Sequence, residues 1–443
     1  MKLARHLSKG AWAFALKALP AVNGVASIFL VVRSLPAEEY GAFALVQTLY
    51  LFTIALVNAF ALLPVVRFIA GRERTDPYAT AGLLLTLCFL LGVTGVLWAL
   101  PASFWHLVNI PPLAVRLFPY LPALFAASGY RLFAVALLQP RYRLREMFFI
   151  EAVANVGTPA AVGFLLALGS FTSAEDLLRV MVLMQLLSSL TAMGVSGRLF
   201  QWTLDRGAVL EIFRFGKYVF SGSVFYSVFS QLDVVFVTSF GGLVAAATYS
   251  AAKVFVRIFD LLGQVLQVFA IPFSSRKWEA GDRTSLQTVA EKLVAFSTIL
   301  LLPVGAIMAL IPSEALLLLY NGKYLDGAIV VRVLSILAIV TPWNAVGASY
   351  FIGTGKVKTG FWVSVLLVSV ALPLYWTLTP RLGPAGTAIA YAFSQAVTTV
   401  VVVLILRRSV PLSIRGVLGR WRDIRQLLRD WTTRLLQAPP GES

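Results

Sequence analysis

The chain is a succession of apolar runs, each about as long as a bilayer is thick, joined by short polar links. A hydrocarbon core of ~30 Å takes roughly 20 apolar residues of helix at 1.5 Å rise per residue. Windows of that length recur twelve times, at about 11–32, 42–65, 79–101, 113–139, 147–169, 177–199, 216–240, 243–272, 289–311, 328–352, 359–379 and 384–406. Of the 443 residues, 59% are hydrophobic and 13% charged, and no soluble fold hides so much apolar surface in such long runs. The sequence therefore predicts an all-α polytopic membrane protein with twelve transmembrane helices.

The net charge of +17 could point to nucleic acid, but its distribution argues otherwise. Alternate links are basic: the N-terminal tail, Arg67/Arg72/Arg74, Arg141/Arg143/Arg145, Arg198/Arg206/Arg214/Lys217, Arg276/Lys277/Arg283, Lys356/Lys358 and the tail after Arg407. The opposite links hold Arg33, Lys323 and Arg381, offset by Glu38, Glu39, Glu175, Asp176, Glu314 and Asp326. The positive-inside rule then places both termini in the cytoplasm of a cell inner (plasma) membrane protein. The basic excess is a topology signal, and no nucleic-acid partner is expected. The first run, after Lys2, Arg5 and Lys9, is too long for a signal-peptide core and reads as a retained signal anchor. A single cysteine, Cys88, excludes an intramolecular disulfide, and His6 and His106 lie far apart, so neither a metal site nor a cofactor is expected.

The polar, basic link 201–215 falls halfway along and divides the chain into an N-terminal six-helix lobe, 1–200, and a C-terminal six-helix lobe, 216–408. Six helices per half start each repeat on the same side, relating the halves by an axis along the membrane normal, with a translocation cavity expected between them. The tail 409–443 sets Val417, Leu418, Trp421, Ile424, Leu428, Trp431 and Leu435 on one stripe, with Arg415, Arg420, Arg422, Arg425, Arg429 and Arg434 around it. That pattern predicts a basic amphipathic helix on the anionic cytoplasmic leaflet. A solvated or partner-packed tail is the alternative.

Charges inside the runs carry the functional signal, because one near the bilayer centre costs about 2.5–3.5 kcal/mol and survives by pairing or by lining a polar cavity. Lys253, Arg257 and Asp260 follow i, i+4, i+7 spacing and are expected on one helix face. Asp233 and Lys253 lie at matching depth in adjacent spans, which suits either a hairpin-locking ion pair or a cavity site. Arg257 and Asp260 could neutralise each other at i, i+3. In the first half, Lys17 could snorkel to the interface, whereas Arg131 is deep, with Glu151 as its candidate partner. The cavity cations are thus Arg257, Lys253, Arg131 and Lys17. Asp233, Asp260 and Glu151 are candidates for ion coupling or charge pairing. Asn23, Asn155 and Gln264 could contact sugar hydroxyls, although most such groups make interhelical hydrogen bonds. Mid-span prolines, among them Pro20, Pro303 and Pro342, favour kinks.

Two motifs are set aside. Gly353-Thr-Gly-Lys356 lacks the glycine spacing and the following Ser/Thr of a phosphate loop and reads as a turn. Glu38-Glu39 after Pro36 is good chemistry for opening a helix.

Leu35-Pro-Ala-Glu-Glu-Tyr-Gly-Ala-Phe43, Leu232-Asp233…Gly242…Tyr249-Ser-Ala-Ala-Lys253…Pro272…Gly281-Asp282, Tyr320-Asn-Gly-Lys-Tyr324 and Gly383-Pro-Ala-Gly-Thr-Ala-Ile389 follow in an order and spacing that resembles the polysaccharide flippases of the multidrug/oligosaccharidyl-lipid/polysaccharide (MOP) exporter superfamily. The resemblance covers nearly the whole chain. It implies a fold like that of the multidrug exporters of the superfamily, twelve helices in two lobes. It implies a transporter rather than an enzyme, moving polyprenyl-diphosphate-linked oligosaccharide from the cytoplasmic to the outer leaflet for cell-surface polysaccharide (lipopolysaccharide or exopolysaccharide) synthesis. Cavity cations would hold the diphosphate, and a polysaccharide polymerase or ligase is an implied partner. A cation-drug antiporter would need a net acidic cavity, and a lipid II flippase resembles a fourteen-helix protein. A membrane glycosyltransferase or polymerase would need a large external loop, which none of the links provides.

Overall fold

A computed structural model describes residues 2–70, 75–100, 109–197, 199, 201–410 and 414–420. The side chains of Lys17 and Gln264 lie outside the described set, as does most of the tail stripe. Every regular element among the described residues is helical. In chain order these are α1 (Lys2–Ser27), continued by a π turn at Ile28–Val32; α2 (Ala37–Val57), continued by a π turn at Asn58–Leu62; α3 (Leu63–Ala70); α4 (Asp76–Ala99); α5 (Pro112–Leu117); α6 (Tyr120–Leu138); α7 (Leu144–Asn155); α8 (Gly157–Ala167) and α9 (Ala174–Ser196). The second part holds α10 (Arg206–Lys253), α11 (Val256–Glu279), α12 (Arg283–Leu310), α13 (Pro312–Tyr320), α14 (Ala328–Leu334), α15 (Leu337–Gly353), α16 (Val357–Ser409) and α17 (Ile414–Gly419).

Among the described residues eight helices are long and apolar enough to cross a membrane, nine if the pair α14–α15, bent by 46°, is one span. The longest element, α16, covers two of the apolar runs, and α10 covers one and the start of the next. At 1.5 Å per residue α10 would extend ~72 Å if straight, more than twice a bilayer core. It reverses at Gly242, whose φ of 77° and ψ of −173° suit only glycine. Tyr249 and Asp233, 16 residues apart around that glycine, are hydrogen-bonded at 2.7 Å. Gly383 (φ 57°, ψ −140°) does the same in α16, where the hydroxyls of Thr379 and Thr387 meet at 2.9 Å. Side-chain caps open α9 and α12, through Ser173 and Asp282. Ser173 and Asp176 form a capping box on α9, and Glu38 and Glu39 occupy the first turn of α2.

The chain packs as two compact units. The first comprises Met1–Ala251, Leu316–Gly327 and Thr379–Thr387, and includes the link 201–215. Within it α9 packs on α6 and α7, and α1 on α7. Ser188, Ser189, Ala192 and Ser196, all buried, give α9 a small-residue face on which neighbouring helices approach closely. The second comprises Ala252–Ala315, Ala328–Leu378 and Ala388–Ser443, with α15 packed on α11 and α12. Its core includes Val294, Tyr350, Phe351, Val402, Leu406 and Val417. Large apolar side chains stay exposed, such as Leu91 (69%), Trp98 (77%) and Trp376 (66%), as lipid-facing surfaces require.

One local expectation is corrected. Lys253, Arg257 and Asp260 do not share one continuous helix, because α10 ends at Lys253 and α11 begins at Val256. At the break, Phe255 N–H bonds Ala252 O (3.4 Å), Arg257 N–H bonds Val254 O (3.1 Å) and Ile258 N–H bonds Phe255 O (3.3 Å). These three-residue steps tighten the winding and rotate Lys253 off the regular i, i+4 register.

Candidate functional site

The sequence around residue 256 divides α11 into two faces. Val256 (3% exposed), Phe259 (0%), Leu266 (6%) and Ala270 (3%) are buried against neighbouring helices of the second unit. Arg257, Ile258, Asp260, Leu261 and Val265 are exposed. On this exposed side Arg257 and Asp260 lie at i, i+3 beside apolar Ile258, Leu261 and Val265, and Gln267, ten residues on from Arg257, is half-buried. Lys253 and Arg257 are the two cations whose fields act on Asp260. The Lys253 ammonium lies 5.3 Å from the ring centroid of Tyr391, within cation–π range.

Tyr391 begins a second polar row on the last leg of α16. One and two turns on, Gln395 and Thr399 bond Asn344 of α15: Asn344 Nδ2 donates to Gln395 Oε1 at 3.1 Å and Thr399 Oγ1 to Asn344 Oδ1 at 3.0 Å. The second unit thus carries a cation-rich step at Lys253–Arg257 and a neutral hydrogen-bonding row at 391, 395 and 399.

Asp233 is fully buried. Its Oδ2 accepts from Tyr249 Oη at 2.7 Å and its Oδ1 from Val234 N–H at 2.8 Å. Arg131, 8% exposed, donates from Nη1 to Glu151 Oε1 at 2.5 Å. Asn155 Nδ2 donates to Glu151 Oε2 at 3.0 Å. Ser189 Oγ takes the Arg131 backbone N–H (3.2 Å) and donates to Ala127 O (2.5 Å), bridging one helical rung. The structure therefore joins Arg131, Glu151 and Asn155 in one network of the first unit. Asn23 accepts from Ser27 Oγ at 3.4 Å within α1.

Tyr391 and Tyr249 are absent from the sequence candidates. Tyr391, Gln395 and Thr399 at helical spacing carried a signal for the first, and the near-equal distances of Asp233 and Tyr249 from Gly242 carried one for the second. The motif Gly353-Thr-Gly-Lys356 is a helix-joining turn, with Gly355 at φ 74°, and Lys356 Nζ bonds Ser409 Oγ at 2.7 Å. Glu39 Oε2 accepts from Ala174 N–H at 2.8 Å, so it ties α2 to the start of α9.

Solved structures place this architecture. It is similar to an inward-facing multidrug resistance MATE family transporter of the MOP superfamily (TM-score 0.72, 15% identity, 89% of this chain and 94% of that chain). It is similar also to lipid II flippase MurJ in an inward closed conformation (TM-score 0.72, 10% identity, 98% of this chain and 94% of that one). At such identities the likeness speaks to the fold alone. A family model described as "Polysaccharide biosynthesis protein" matches residues 30–330, more than half of the chain, and the chain belongs to that family. It is 29% identical over 190 residues to an uncharacterized membrane protein of Methanocaldococcus jannaschii, a match over 43% of this chain and 38% of that relative's length.

Proposed function

We propose that the protein flips a polyprenyl-diphosphate-linked oligosaccharide from the cytoplasmic to the outer leaflet for cell-surface polysaccharide synthesis. The observation that carries this reading is the Lys253–Arg257–Asp260 step, two cations against one acid in a membrane-length apolar region, in a chain of a polysaccharide biosynthesis family. Arg257 and Lys253 hold the diphosphate through charge-assisted hydrogen bonds, which a planar guanidinium makes in bidentate form. Asp260 limits the depth of that anion well, so the headgroup can leave as well as bind. The neutral row at Tyr391, Gln395 and Asn344 offers hydroxyl and amide partners to sugars, while the polyprenyl tail remains in lipid. Arg131, in the first unit, is neutralised by Glu151.

The site is exposed alternately to the two sides of the inner membrane, with both termini cytoplasmic as the basic links direct. A cytoplasm-negative potential favours outward movement of the anion by about 2.3 kcal/mol per charge per 100 mV. The basic tail 409–443 binds anionic lipid, and the product passes to polymerase or ligase machinery. A cation-drug antiporter of the same superfamily would use free acids, but Asp233 is bonded to Tyr249 and Glu151 to Arg131.

Reconstitution with a diphosphate-linked oligosaccharide tests the reading. Arg257→Ala should lower flipping at least ~10-fold, the loss of one charge-assisted interaction of about 1.5–3 kcal/mol, with Arg257→Lys recovering part of it. Unaltered flipping by a well-inserted Arg257→Ala protein would remove Arg257 from the mechanism.

A further inference from the structure

A groove of about 250 Å³ lies wholly within the second unit, between the two legs of α16, in a stretch apolar enough to cross a membrane. Helical spacing sets its walls. Lys358, Trp362 and Leu366 follow i, i+4, i+8 on the outgoing leg, and Ile405 and Val401 stand one turn apart on the returning leg. Eight residues of helix make a wall ~12 Å long. Trp362 is 66% exposed, and Leu366, Val401 and Ile405 are half-buried, so the groove is open along its side. A narrow apolar channel in a membrane-spanning hairpin is suited to a hydrocarbon chain.

One end of the groove is cationic. Lys358 is exposed there, and Lys356 stands two residues before it. Lys356 Nζ donates to Ser409 Oγ at 2.7 Å, and Ser409 lies one turn beyond Ile405 on the same stripe of the returning leg. The ring centroids of Trp278 and Tyr350, 4.9 and 5.8 Å away, also attract this ammonium. Arg283 stacks on Trp278 as well, its guanidinium carbon 3.1 Å from the ring centroid. Lys356 is thereby fixed near a second cation rather than beside an acid. Among the described residues neither Lys356 nor Lys358 meets a carboxylate, and Asp282, next to Arg283, is bonded by Lys277. Like charges gathered at one spot repel, and an anion seated among them relieves the repulsion. These residues belong to the Lys- and Arg-rich links, cytoplasmic in the proposed orientation, where Trp and Tyr mark the interface and basic clusters attract anionic headgroups. The channel alone suits any lipid chain, and the cations alone suit any anion. Together they suit a molecule with a phosphodiester at one end and an acyl chain at the other.

We propose that the α16 groove binds an anionic phospholipid of the cytoplasmic leaflet, with the phosphate on Lys356 and Lys358 and one acyl chain along Trp362, Leu366, Ile405 and Val401. The site shares no residue with the Lys253–Arg257–Asp260 step and does not depend on the flippase reading. Phosphatidylglycerol and phosphatidylcholine with brominated acyl chains, added in turn to nanodiscs holding the full-length protein, test it by tryptophan quenching. The difference between wild type and Trp362→Phe isolates the Trp362 signal. At that ring phosphatidylglycerol should be preferred over phosphatidylcholine by about 25-fold, ~5-fold for each lysine. Lys356→Gln and Lys358→Gln should each lower the preference about 5-fold and together abolish it. The double Lys→Arg variant, which keeps both charges, should retain it and so separates lost charge from lost folding. Equal quenching of Trp362 by the two lipids, meaning an annular chain only, would overturn the proposal. A preference that survives the double Lys→Gln variant would also overturn it and would place the selectivity elsewhere, such as the basic tail.

Discussion

The Arg131–Glu151 pair should be energetically coupled, and the coupling is large enough to measure. The two side chains are 10% and 19% exposed, and Asn155 holds the far carboxylate oxygen. Charge centres ~4 Å apart at an effective dielectric near 20 attract by about 4 kcal/mol. Breaking a buried pair by removing one partner costs about 3–5 kcal/mol, because the other charge stays buried and unmatched. Glu151→Gln keeps the volume and removes only the charge, so cavity formation adds little. It should cost about 3 kcal/mol, as should Arg131→Met. The double variant should cost no more than either single one, a coupling of about 3 kcal/mol in a double-mutant cycle. Equilibrium unfolding in mixed micelles, followed by fluorescence of the ten tryptophans, reports these values. Singles below about 1 kcal/mol with an additive double variant would refute the argument, and Arg131 would then be available to an anionic headgroup.

Gly242→Ala should disrupt the α10 reversal, since φ 77° is strained for any L side chain; reduced yield of folded protein on size exclusion is expected, with Ala245→Gly on the regular helix nearby as a mild control. Glu291, 2% exposed, accepts from Arg420 at 3.3 Å and from Gln287 at 3.0 Å; Glu291→Gln should release α17 from α12, read as faster tryptic cleavage after Arg420. The carboxyl of Asp282, capping α12, is held below the usual carboxylate range by hydrogen bonds from Lys277 and Ser285. A depressed folded-state pKa gives stability that is present above the unfolded value of ~3.9 and lost as pH falls through the folded one. Asp282→Asn should therefore flatten the acid limb of the melting-temperature profile while the neutral-pH limb keeps its shape.

Much of the architecture was legible residue by residue. Burying an apolar helix in lipid is close to a sum over its own side chains, so a run such as Asp76–Ala99 announces itself without its neighbours. Turn chemistry is equally local: Gly242 and Gly383 sit where two runs must fold back, and Ser173 with Asp176 starts a helix by its own hydrogen bonds. The charges inside the runs were legible as positions but not as partnerships. Periodicity set Lys253, Arg257 and Asp260 on one face, and the tighter winding at Val254–Phe255 removed that regularity. Ser189 reaches the Arg131 backbone from a helix 58 residues along the chain, and no spacing rule encodes such a meeting. The sequence by itself determined which segments enter the membrane and which side chains carry charge there, because transfer from water to lipid is a one-body cost. Which of those charges are neutralised, as Arg131 is by Glu151, only the tertiary structure decided. Pairing in a low-dielectric interior is a two-body energy that falls off within a few ångströms and depends on which helices become neighbours.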